Sequence, residues 1–398
     1  TINSVNIGKG ANSVAGNTVL GETALDASVT GGNNTAIGKS ALTTNTSGTQ
    51  NVAVGSLALD ANTTASDNIA IGYSSLGANT TGTLNIGIGS LAGDAITTGD
   101  QNITIGYRSL SANETGGNNI AIGVDSQKVS TASNNTSIGY DTLKANTTGI
   151  QNVAVGTFAL DSNTTAGSNT AVGFNALTAN TTASQVTALG NKTLEANTTG
   201  AGNTGLGSNA LQTNTTGRDN TAGGYAALQL NTTGIQNTAF GAEALDANTT
   251  ANSNTAVGFQ ALTGNTTGSG NTSVGNKALD ANTTGGSNTA MGDNALGANT
   301  TGTENTAVGR EALAANTTAS YNTAVGDQAL DANTTGTRGV AVGNNALTAN
   351  TTGDYNIAIG DSALGSNTTA SNNTAVGRNS LVLNTTGTKQ TGLGTQTL

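Results

Sequence analysis

The chain has 398 residues, 57 of them Gly, with no Pro, Cys, His or Trp and a formal charge of −10. Without His or Cys it has no imidazole base, thiolate nucleophile, soft-metal site or disulfide framework. The acidic balance argues against nucleic acid or an anionic membrane face as a partner. Serines and carboxylates remain, but no constellation activates them, so neither an enzyme nor a cofactor is expected. No run of 18 apolar residues exists to span a bilayer.

The chain opens at Thr1 without Met or a signal peptide, which reads as a processed product or a fragment of a longer fibre. Residues 1–20 read as an irregular first coil, carrying NSVNIG at Asn3–Gly8. From Gly21 a glycine recurs every 17 residues to Gly123, takes one 16-residue step to Gly139, and then keeps 17 to Gly394. The regular region, 21–398, gives 23 coils of the form N-T-A-V-G-x-x-A-L-x-A-N-T-T-G-x-x. We number the columns 1 to 17 from the Asn, so Asn51 is column 1 and Gly55 column 5.

Seventeen residues are too few for the helical repeats and for the leucine-rich repeat. β-Branched residues at column 2, apolar ones at column 4 and Gly at column 5 predict a short strand ending in a turn. A second short strand is expected over columns 8 to 14. The fold class is therefore all-β: a parallel β-solenoid, or β-roll, of about 23 coils. At about 4.8 Å per coil these would stack into a rod about 110 Å long.

Column 4 is apolar in 22 of 23 coils, as at Ile37, Val54, Ile71, Phe240 and Met291; column 9 is Leu in 21. Both columns are expected to form the core. Gly93 and Gln127 are the column 9 exceptions, and Gln127 lies in the short coil at 123–139. Of the 34 charged residues, 33 fall in columns 6, 7, 10, 16 and 17, which are expected to face solvent; Glu114 in column 13 is the other. If columns 2 and 4 point inward, column 3 points out. Yet it holds Ala, Gly, Ser or Thr in 22 of 23 coils and never a charge, so another surface is expected to pack against it. Burial of each core side chain is worth about 1.5–3 kcal/mol, against about 1–2 kcal/mol per residue of backbone entropy. So thin a core favours sharing a face, most simply in a homotrimer around an axis lined by column 3.

NSVNIG at Asn3–Gly8, NVAVG at Asn51–Gly55 and Asn152–Gly156, and NIAIG at Asn68–Gly72 and Asn356–Gly360 resemble the repeats of YadA-like heads of trimeric autotransporter adhesins. The arrays are also similar to parts of phage tail fibres and large bacterial surface proteins. The resemblance implies a homotrimeric β-roll outside the cell, on a bacterial surface or a virion, that attaches to a host or surface receptor. The period of 17, longer than about 14 in the adhesins, and the lack of a coiled-coil stalk or membrane anchor depart from that pattern.

Several positions are candidate functional or structural residues. The column 1 asparagines, among them Asn34, Asn51, Asn68, Asn152, Asn169 and Asn254, are expected to form an amide ladder between coils. Gly38, Gly55, Gly72, Gly156, Gly173 and Gly258 are expected at the turn. Column 12 is mostly Asn in N-T-T, formally a glycosylation sequon but better read as a turn or ladder residue. Ile96 takes that place once, which suggests a partly buried column. Tyr73, Tyr107, Tyr140, Phe174, Tyr225 and Phe259 follow the turn glycine at column 6 and are candidate contacts for a glycan or protein partner. Carboxylates of column 10, such as Asp26, Asp60 and Asp94, recur every second coil, too far apart to share calcium. The competing function is an ice-binding solenoid presenting Thr and Asn ranks, although adjacent Thr residues in columns 13 and 14 would point to opposite faces. The last residue, Leu398, falls in column 9 with no cap after it, so the tip of the fibre is expected elsewhere.

Overall fold

A computed structural model describes residues 4–397, so Asn3 of the first motif and the column 9 residue Leu398 lie outside the described residues. The chain divides into two compact units, Thr1–Thr199 and Gly200–Leu398. Each is a parallel β-solenoid with one short strand per coil, three residues long except for four in β2. The first unit runs from β1 (Asn6–Gly8), β2 (Thr18–Gly21) and β3 (Thr35–Ile37) to β12 (Thr187–Leu189). The second runs from β13 (Thr204–Leu206) to β24 (Thr391–Leu393).

Parallel neighbours pair at an offset of 17, as in Thr35↔Val52 and Thr306↔Thr323. The short coil is absorbed between β8 (Ile120–Ile122) and β9 (Thr136–Ile138), which pair Ile120↔Thr136. β1, in the segment expected to form an irregular first coil, runs antiparallel to β2, with Asn6 opposite Gly21.

The strand faces the other way from the expectation. Every column 3 residue is buried, from Val19 and Ala36 to Gly392, and no column 2 or column 4 residue is. Ile71, Phe240 and Met291, expected in the core, are 40, 42 and 43% exposed. A three-residue strand has one side chain on one face and two on the other. The coil is so narrow that its inward position takes mostly Ala, with Val19 and Thr104 the largest exceptions, while the Val and Ile of columns 2 and 4 stand outside. The small residues of column 3 therefore line the interior of the coil and cannot line an axis between chains.

The second correction concerns columns 8 to 14, which form turns and bends rather than a strand. Non-glycine residues in columns 7, 9 and 17 take left-handed backbone, for example Leu57 (φ 60°), Leu59 (φ 50°) and Gln50 (φ 61°). These let the chain turn corners while its amides stay aligned with the next coil: Leu42 N–H donates to Ala58 O (3.0 Å) and Leu57 N–H to Lys39 O (3.0 Å). Left-handed backbone is costly for β-branched side chains. Column 9 accordingly holds Leu and never Val or Ile. Its leucines are fully buried against alanines of columns 3 and 8, so this half of the expected core is present.

The conformation of column 9 yields a test. Leu262→Ile keeps the side-chain volume but puts a β-branched residue at φ 56°. Urea unfolding should show it less stable than Leu262→Met by about 1–2 kcal/mol. Equal stabilities would mean that column 9 is not held left-handed.

Candidate functional site

Two asparagine columns close each coil. In column 1, Asn51 N–H and Nδ2 both donate to Asn34 Oδ1 (3.0 and 3.2 Å), and Nδ2 also donates to Ala65 O (2.9 Å). Asn34, Asn68, Asn152, Asn169 and Asn254 repeat this pattern: each backbone N–H meets the Oδ1 of the preceding coil, and each Nδ2 reaches a column 15 carbonyl. Column 12 makes a second ladder, in which Asn231 Nδ2 donates to Asn214 Oδ1 (2.7 Å) and Gly234 O (3.1 Å). These amides are fully buried, as is Ile96 where it replaces one of them. The N-T-T asparagines from Asn62 to Asn367 therefore offer no accessible amide for glycosylation.

The turn glycines have backbone that only glycine adopts easily, with φ of 128° at Gly38 and 124° at Gly156. A Cβ at either would lie 2.6 Å from the carbonyl oxygen of Gly55 or Gly173 in the next coil. Gly55, Gly72, Gly173 and Gly258 have φ between 135° and 143°. Column 13 threonines turn their hydroxyls onto the next coil, Thr63 Oγ1 donating to Thr80 O (3.2 Å). They are engaged within the fold, and column 14 faces solvent.

Three exposed surfaces remain. One is the strand face, with columns 2 and 4 outward and no charged residue in either. It is kept filled: where column 4 is Gly223, the ring of Phe240 from the next coil lies over the gap.

Another surface carries the column 6 aromatics. Tyr73, Tyr107, Tyr140, Phe174, Tyr225 and Phe259 are 44–56% exposed. They do not form one patch. Tyr140 and Phe174 are joined through Phe158, a column 7 residue that the column 6 pattern passed over, in edge-to-face contacts of 5.6 and 6.3 Å. Tyr107 lies under its neighbour Arg108 at 4.7 Å. Arg338 sits 5.0 and 5.4 Å from the rings of Tyr321 and Tyr355 in column 17.

The remaining surface is the charged edge around column 10. Burial is the largest cause that pushes the carboxyls of Asp60, Asp94, Asp161, Asp246, Asp280 and Asp331 above the ordinary 3.8. Charges concentrate around the short coil, where Arg108 and Lys128 meet Asp125 (3.0 and 3.7 Å) and Lys144 meets Asp141 (2.8 Å). Lys128, Val129, Lys144, Ala145, Asp161 and Ser162 line a cleft of about 490 Å³ there. The sequence signals for it are the missing residue and Gln127, whose buried Nε2 donates to Ile120 O and Ser137 Oγ (both 2.9 Å). Among the described residues no three His, Cys, Asp or Glu gather to hold a metal ion, and no helix is long and apolar enough to cross a membrane.

Two outcomes are expected. Asn231→Ala strips the donor from Asn214 Oδ1 and Gly234 O and the acceptor from Asn248 Nδ2. It should cost about 1–3 kcal/mol in chemical denaturation, and a neutral substitution would remove the ladder from the stability argument. The six column 10 carboxyls bind protons more tightly folded than unfolded. Stability should therefore rise as pH falls from neutral through their folded pKa values towards 3.8, and decline as pH rises. Thermal melts of a variant with all six changed to Asn should lack this part of the pH dependence.

No family model, curated protein or solved structure matches the chain, so its functional reading rests on these surfaces.

Proposed function

We propose that this chain is the shaft or head of an extracellular adhesive fibre, a homotrimer whose chains pack through their strand faces. The observation that carries the reading is the uncharged strand face, on which column 4 presents half-exposed Ile, Val, Leu, Met and Phe in coil after coil. Contiguous exposed apolar surface of this extent is unusual on a soluble monomer and marks an interaction site. The in-register face is complementary to copies of itself, because identical flat ribbons of β-branched side chains can interdigitate about a symmetry axis. Phe240 filling the place left by Gly223 fits a surface that has to stay continuous. The resemblance to trimeric adhesin heads and tail fibres supplies three as the number of chains. Attachment would then work by multivalency, many weak contacts on the outward edges adding to a large avidity.

A second reading is favoured by one observation in the second unit. Column 2 there carries eight successive threonines, Thr204 to Thr323, in one rank on the flat strand face. This is a better candidate for ice binding than columns 13 and 14, whose hydroxyls are turned onto the fold or fall outside the flat face. Phe240 and Met291 in column 4 interrupt the regularity that a lattice match needs.

Light scattering on a sizing column separates the two readings. Three chains of 38.6 kDa give about 116 kDa, and Val257→Glu with Val308→Glu in column 4 should return the mass to 38.6 kDa with an unchanged circular dichroism spectrum. An unmodified chain of 38.6 kDa would overturn the trimer, and thermal hysteresis would then be the measurement for ice binding.

A further inference from the structure

We propose that the short coil and its neighbours form a binding site for a neutral glycan, with the cleft at columns 10 and 11 holding one sugar ring and the Tyr140–Phe158–Phe174 column beside it holding another. The proposal names the ligand class and the place of contact for the adhesive reading, and rests on it only for its biological purpose.

Three features of this segment coincide. The first is geometric: the coil that loses a residue is one of those lining the cleft. Its rim joins ammonium groups, Lys128 and Lys144, to the carboxyl of Asp161 and the hydroxyl of Ser162, over Val129 and Ala145. About 490 Å³ lies within the range of small-ligand clefts, about 300–1,000 Å³. Val129 itself is 39% exposed, an apolar floor open to a ligand.

The second feature is aromatic. The Tyr140, Phe158 and Phe174 rings follow one another on successive coils, with Tyr140 and Phe174 about half exposed. The C–H face of a pyranose packs on such rings, as other apolar surfaces do. The ion pair between Lys144 of the cleft and Asp141, next to Tyr140 in the chain, ties the two parts together.

The third is charge balance. Arg108, Lys128 and Lys144 face Asp125, Asp141 and Asp161, three cations against three carboxyls. A sulfated or phosphorylated chain would find as much repulsion as attraction here. Sugar hydroxyls both donate and accept, so they can answer ammonium and carboxylate together.

Calorimetric titration of the full chain with maltohexaose and chitohexaose, and with heparin hexasaccharide as the anionic control, tests the site. A neutral chain should bind and heparin should not. Asp161→Asn and Phe174→Ser should each weaken binding by about tenfold or more, with circular dichroism unchanged. Tyr321→Ser in the second unit should leave binding as it is. No binding by either neutral chain, tighter binding of heparin, or loss only in Tyr321→Ser would overturn the proposal. The native mass of the same samples keeps the two readings apart. A trimer that binds no sugar refutes the site alone, and a monomer that binds refutes the fibre alone.

Discussion

Everything in this fold depends on buried amides pairing along the stacking direction. A coil of 17 residues encloses too little space for a hydrophobic core of ordinary width, and much of its interior is Asn, Ala and Gly. Buried polar groups are tolerated only when hydrogen-bonded. Most Asn of columns 1 and 12 meet that condition by binding their counterpart one coil away and a carbonyl at column 15. Side chains that would be a liability in a conventional core thus fix the coil-to-coil register. The strand, the turn glycine and the left-handed corners all sit where these ladders require them.

The period, the short coil, the turn glycine and the inward Leu were legible because each is a statement about recurrence. The direction of the strand was not. Three residues carry a single alternation, and reading the apolar columns as inward is the usual choice. It fails here because the available interior decides: small residues, mostly Ala, fill the space between the Asn and Leu columns, with Val19 and Thr104 the largest, so the Val and Ile of columns 2 and 4 are left outside. The absence of any charge from column 3 was the correct clue attached to the wrong face. The second strand was misread for a related reason. Columns 8 to 14 carry β-branched residues mainly as the Thr pair at columns 13 and 14, and the Leu of column 9 adopts φ near 50°. Column 17, also left-handed, never holds Val, Ile or Thr, and such an exclusion is a local signal for this backbone.

The candidate surfaces were only partly readable. The six column 6 aromatics could be picked out by position, but which of them meet depends on Phe158 one column over. The cleft involves Lys128, Lys144 and Asp161, residues that look like dispersed surface charge in sequence. All three fall in column 10 of successive coils, so stacking brings them together, and Gln127 in a leucine column marks the place.

The strict offset of 17 has an evolutionary consequence. Within each unit the ladder bonds that link coils run to the adjacent coil, as Asn288 N–H to Asn271 Oδ1 and Thr289 N–H to Asn305 O. Adding or deleting a whole coil therefore regenerates the same partners on both sides of the junction. Gain or loss of any other number of residues shifts two asparagine ladders at once. The number of coils is thereby free to drift by recombination between near-identical segments while the cross-section is held fixed, and a single-residue loss such as that before Gly139 survives only where neighbouring side chains rebuild the interior.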